Sequence, residues 1–131
     1  MKKITIKTGK HAQFLPIDHE LQATVEEAGV VSGLVHVFVP HTTAGLTINE
    51  NADPAVMADI EMVLGRMAPW EGGYRHDEGN TAAHVKAGLL GFHQTVFVEN
   101  GRLALGTWQS VYFCEFDGPR TRQVWVNVVA L

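Results

Sequence analysis

Residues 95–129 read TVFVENGRLALGTWQSVYFCEFDGPRTRQVWVNVV, and this stretch decides the fold. β-Branched and aromatic residues dominate it, broken by glycine-bearing turns. Thr95–Glu99 reads as a strand, and Asn100-Gly101 is the dipeptide that a tight hairpin turn prefers. Leu103–Leu105 continues the pattern, and Thr107–Glu115 predicts a long strand. Asp117-Gly118-Pro119 then turns the chain. Gln123–Val129 returns with Val124, Val126 and Val128 on one face.

The N-terminal part is also rich in strands. Ile4–Thr8 alternates, and Gln13–Ile17 is expected to pair with it across the turn at Gly9-Lys10. Asp18 offers a helix N-cap, Leu21, Val25 and Ala28 recur at helical spacing, and Gly29 is placed to end that helix. Val30–Val39 reads as a buried strand, and Thr43–Asn49 follows after the corner at Pro40-His41. Asp53-Pro54 is the clearest helix start, with Val56, Ile60, Val63, Leu64 and Met67 expected on the buried face. Ala68–Gly79 is a long loop, a length that in compact domains accompanies function or mobility. Asn80 or Thr81 opens a short helix ending near Gly91. Strands outnumber helices and gather at both ends. The expected fold is therefore α+β, a largely antiparallel β-sandwich or sheet with about three helices packed on it.

The chain has 131 residues, 46% hydrophobic and 18% charged, with a net charge of −4. No repeat or linker divides it, so residues 1–131 read as a single domain. Charge is scarcer than the usual ~25%, which fits either a surface partly covered by another subunit or small apolar residues simply lying exposed. Lys and Arg form no runs, so neither duplex nucleic acid nor an anionic membrane is an expected partner. No stretch reaches the ~20 apolar residues of a membrane span, and the first residues lack a signal-peptide core. The expected location is the cytoplasm. Cys114 is the only cysteine, which excludes an internal disulfide and reads as a small buried hydrophobe. Trp70, Trp108 and Trp125 read as packing residues, and His11, His19, His36 and His93 as surface or structural ones.

Polar residues collect where the apolar strands end. His41-Thr42-Thr43 lies at one corner, and Asn49-Glu50-Asn51 follows the next strand. His76-Asp77-Glu78-Gly79-Asn80 precedes His84. Imidazoles with a carboxylate suit zinc or another divalent transition metal, which makes His41, His76 and His84 the candidate ligands, and the expected cofactor is a divalent metal ion, zinc or magnesium. Gln109, Glu115 and Asp117 share a face of one extended strand, with Arg120 arriving from the turn. A guanidinium beside carboxylates can hold an anionic group, phosphate above all.

These clusters carry a family resemblance. His41-Thr42-Thr43-Ala44-Gly45-Leu46-Thr47-Ile48-Asn49-Glu50 with Asp53-Pro54 resembles the first signature of the YjbQ family, also called secondary thiamine-phosphate synthases. His76-Asp77-Glu78-Gly79-Asn80 with Ala83-His84 is similar to the second. Leu105–Gln109 and Glu115–Arg120 are similar to the third. The resemblance implies a β-rich homotrimer whose site lies near subunit boundaries, where a metal and small anions bind. It further implies thiamine-phosphate-synthase activity: joining a pyrimidine diphosphate to a thiazole phosphate with loss of diphosphate. On that expectation Glu50, Glu78, Asp117 and Arg120 are the catalytic candidates. Thr42, Thr43, Asn49, Asn80, Gln109 and Glu115 would bind the phosphorylated or heterocyclic metabolite. The alternative expectation is a non-catalytic trimeric protein that binds a metabolite or a metal.

Overall fold

The computed structural model describes residues 1–131. The elements run β1 Lys2–Lys7, β2 Gln13–Pro16, α1 Asp18–Ala28, β3 Gly33–Phe38, β4 Ala44–Glu50 and α2 Pro54–Met67. They continue α3 Thr81–Leu90, β5 His93–Glu99, β6 Arg102–Leu103, β7 Gln109–Glu115 and β8 Thr121–Ala130. The expected α+β class with three helices is what the chain adopts. Its strands form two antiparallel sheets, one ordered β1-β8-β3-β5-β6 and the other β2-β7-β4.

Strand alternation explains how the sheets stack. Val35 and Val37 of β3, Val96 and Val98 of β5, and Val124 and Val126 of β8 point inward from the five-stranded sheet. Leu46 of β4 and Val111 and Phe113 of β7 meet them from the three-stranded sheet, and Leu21 and Val25 of α1 join the same cluster. Each fully buried aliphatic side chain there contributes roughly 1.5–3 kcal/mol. The opposite side of β7 presents Tyr112 and Cys114 to a second cluster, which takes Met57 and Leu64 from α2 and Ala83 and Ala87 from α3. The smaller sheet is therefore covered on both faces. The outer face of the larger one leaves Phe38, Phe97 and Val129 exposed.

Local signals held where a turn or cap is self-contained. Asn100 and Gly101 adopt φ of 52° and 74°, the positive values that a primed hairpin turn requires. Asp53 caps α2 by accepting from the Ala55 N–H, with Pro54 at the first helical position. Cys114 is fully buried, and burial pushes its thiol pKa up, which leaves it no nucleophilic thiolate.

Other expectations need correction. β1 does not pair with β2. It pairs with β8, while β2 pairs with β7, so the residues after Lys7 carry the chain from one sheet to the other. Asp18 does not cap α1; its Oδ1 accepts from the Val111 N–H at 2.7 Å, which fastens the helix start to β7. On α2 the buried residues are Met57 and Leu64, whereas Val63 and Met67 are exposed, because only a narrow strip of the helix meets the sheet. β6 stops at Leu103, short of the expected Leu105. Trp108 is 63% exposed rather than packed.

Candidate functional site

The same alternation that builds the core delivers two charges into it. Val111 and Phe113 point inward from β7, and the next residue in that series is Glu115. Val126 and Val124 point inward from β8, and the residue before them in the series is Arg122. The two side chains meet between the sheets. Glu115 is 0% exposed and Arg122 5% exposed. Arg122 Nε donates to Glu115 Oε1 at 2.9 Å, and Nη2 donates to Oε2. Thr8 Oγ1 and the Asp117 N–H complete the carboxylate's partners, at 2.7 and 3.1 Å. Desolvation works to raise the Glu115 pKa, but the hydrogen bonds from Arg122, Thr8 and Asp117 together hold it below the ordinary carboxylate value.

Above this pair lies an open cavity of about 430 Å³ lined by eleven residues, every one of them polar apart from Pro40. The corner before β4 brings His41, Thr42 and Thr43; the loop and start of α3 bring His76, Glu78, Asn80 and His84; the turn after β7 brings Asp117 and Arg120. These expected residues do converge. Arg122 lines the cavity too, and nothing in the local sequence marked it out: it reads as one more position in an alternating strand.

Around the rim, Arg120 donates through Nη2 to Asp117 Oδ2 at 2.9 Å and through Nε to the Asp117 carbonyl at 2.7 Å. Asn80 Nδ2 donates to the same Asp117 Oδ2 at 2.8 Å and to Glu78 Oε2 at 3.3 Å. Asn80 sits at the N-cap of α3 yet makes no side-chain cap bond, because its amide is turned to those carboxylates. Its Oδ1 is consequently buried without a partner. The His76 and His84 rings lie 5.4 Å apart, nearly perpendicular.

His41 has a different chemistry from the other two histidines. Its Nε2 accepts from the Gln123 N–H at 2.9 Å. That bond uses the lone pair and places the ring proton on Nδ1, so the neutral ring offers a donor rather than a metal-binding nitrogen. Burial, and after it the positive charge of Arg122, holds the His41 pKa below its ordinary value. His41 thus leaves the expected metal set. No group of three or more His, Cys, Asp or Glu side chains converges to hold an ion.

Four expected residues lie elsewhere. Glu115 has no surface in the cavity and acts beneath it, through Arg122. Gln109 shares a strand face with Glu115 but stands at the other end of β7, about 20 Å away at the usual strand rise. Its Oε1 accepts from Gly106 N at 2.9 Å. Asn49 and Glu50 pair with Ser110 and Gln109 at that same remote end, and the Asn49 Oδ1 accepts from the Glu50 N–H.

An antiparallel two-sheet fold with two helices covering the smaller sheet and a polar cavity at the strand ends defines the class. The chain belongs to the family described as UPF0047 protein YjbQ-like, whose model it matches over residues 2–131. It is 51% identical to UPF0047 protein YugU of Bacillus subtilis over 130 residues, covering 98% of each. It is similar to a crystal structure of a YjbQ/UPF0047-family protein from Clostridium acetobutylicum, with a TM-score of 0.96 and 50% identity over 98% of this chain and 100% of that one. A YbjQ-like protein from Sulfolobus solfataricus superposes with a TM-score of 0.94 at 28% identity, covering 99% and 96%. No helix is long and apolar enough to cross a membrane.

Proposed function

We propose that the cavity binds a small phosphorylated metabolite together with a divalent metal ion, zinc or magnesium. The observation that carries this is the lining itself: ten polar side chains and a single proline around about 430 Å³, a composition suited to a charged ligand. Charge decides the need for a cation. Glu78, Asp117 and the underlying Glu115 face only Arg120 and Arg122, so with neutral histidines the region carries one net negative charge. A diphosphate entering it would be held only weakly unless a cation accompanied it.

His76 and His84 would hold that ion, with the partnerless Oδ1 of Asn80 nearby on the same cavity wall. Two imidazoles leave a zinc site short of its usual four ligands, so the ligand's own oxygens or water would fill the remainder. The ion's contribution would be to neutralise phosphate charge. Arg120 and the Arg122 guanidinium would hold phosphate oxygens, and Thr42 would add a hydroxyl at the entrance.

Thiamine-phosphate synthesis is the reaction this cavity would support on the family's account. A thiazole nitrogen bonds to the pyrimidine methylene carbon, the carbon–oxygen bond breaks, and diphosphate leaves with the electron pair. The thiazole nitrogen has no proton to lose, so the arginines matter more than a base, and Glu78 is the carboxylate placed to manage any proton. The test is phosphorus NMR on the two phosphorylated substrates. Diphosphate release that depends on Arg120 supports the reaction.

Binding without turnover would favour the second reading, a non-catalytic binder. One observation supports it: the single thiol is buried and no nucleophile–base pair lines the cavity. In either case, a homotrimer is the assembly in which Asn49, Glu50 and Gln109 would serve a neighbouring copy's cavity. Light scattering on purified protein tests that stoichiometry.

A further inference from the structure

Resting on the reading of the cavity as a phosphate-binding site, we infer that its anion seat is the buried Arg122 and the Nδ1–H of His41, and that Glu115 is the residue positioning it. Arg122 spends Nε on Glu115 Oε1, and Nη2 on Glu115 Oε2 and on Thr43 Oγ1 at 2.8 Å. Nη1 makes no hydrogen bond within the protein and is not sealed from solvent. Arg122 keeps only 5% of its surface and lines the cavity, so its remaining donors open there.

The guanidinium is held at both of its other nitrogens, so it cannot swing away, and no side-chain entropy remains to be lost when an anion arrives. His41 lines the same cavity, close enough for the Arg122 charge to depress its pKa. Its Nε2 is fixed by the Gln123 N–H, so Nδ1 carries the proton and donates. The two donors make a rigid, charge-assisted seat for a phosphate oxygen at the cavity floor. Arg120 differs: it is half-exposed at the rim and already committed to Asp117. It meets the ligand only at the entrance, whereas Arg122 forms the seat at the floor.

The order of the two arginines is opposite to what sequence suggests. Arg120 belongs to a visible turn motif, while Arg122 hides in a strand. Glu115 does not touch the ligand, and its effect on binding passes through Arg122.

Titration calorimetry with inorganic phosphate tests the seat, on wild type, Arg122→Lys and the double variant Glu115→Leu/Arg122→Met. Lysine keeps the charge and the ion pair but lacks the fork, and the double variant replaces the buried pair with apolar groups of similar volume, a change proteins often tolerate. We expect phosphate affinity to fall at least about tenfold in Arg122→Lys and to vanish in the double variant, with thermal unfolding still cooperative. Glu115→Gln should weaken phosphate binding, and supplying the conservative Glu115→Asp should restore part of it. Wild-type affinity in a folded Arg122→Lys or double variant would overturn the seat. If Arg120→Gln or His84→Ala removed binding while Arg122→Lys kept it, the cavity would remain a phosphate site and this assignment alone would fall. No phosphate binding by wild type would overturn both.

Discussion

Glu115 and Arg122 lie on different sheets, and their paired contact in the interior is the only buried ion pair joining them. Thr8 just after β1 and Thr43 just before β4 bond to the same pair, so four chain segments converge on one charge cluster. Breaking one partner leaves an uncompensated buried charge. Glu115→Ala should lower stability by about 3–5 kcal/mol in urea unfolding, whereas Glu115→Leu/Arg122→Met should stay within about 2 kcal/mol of wild type. Equal losses in the two variants would show that packing rather than charge dominates there.

Acid sensitivity should come in two stages. The His41 pKa is depressed below its ordinary 6.5, so the unfolded chain binds that proton first. Its contribution to stability is intact above pH 6.5 and declines as pH falls through the interval beneath it. Glu115 is depressed below 4.5, so its contribution holds above pH 4.5 and is lost below. A His41→Gln variant should lose the first decline and keep the second, as measured by chemical unfolding over a pH series. An unchanged profile would contradict the fixed Nδ1–H tautomer.

Metal uptake should separate the histidines. His76→Ala/His84→Ala should abolish binding of zinc in calorimetry, while His41→Ala should retain it within about threefold, since its Nε2 is already occupied. Loss of zinc in His41→Ala would restore the three-histidine set.

Gly118 sits where no side chain fits. An added Cβ would lie 2.3 Å from the Lys10 carbonyl oxygen, 2.8 Å from Glu115 Cγ and 2.9 Å from Thr8 Oγ1. Gly118→Ala should destabilise by about 1–3 kcal/mol and weaken phosphate binding as Thr8 and Glu115 shift. A melting temperature equal to wild type would show that the turn can relax.

The legible parts of this sequence were the ones with local causes. Val124, Val126 and Val128 announced a strand because period-2 alternation needs no partner to be seen. Asp53-Pro54 and Asn100-Gly101 announced a cap and a turn through their own stereochemistry. The failures concern distance. Gly9-Lys10 suggested a hairpin, but Lys2–Lys7 pairs with residues 121–126 at the far end of the chain. His41, His76, His84, Asn80, Asp117 and Arg120 were recognisable as polar clusters, and the fold brings them together. Gln109, Asn49 and Glu50 looked equivalent, yet strand direction carries them to the opposite end of the smaller sheet. Arg122 was invisible because only the facing of two sheets makes its position in β8 meet Glu115.

The most direct measurement is calorimetric titration of wild-type protein with diphosphate, in the absence and presence of equimolar zinc. The account predicts binding that zinc strengthens at least about tenfold, with the enhancement lost in His76→Ala/His84→Ala. Diphosphate affinity indifferent to zinc and to those histidines, or no affinity at all, would contradict it.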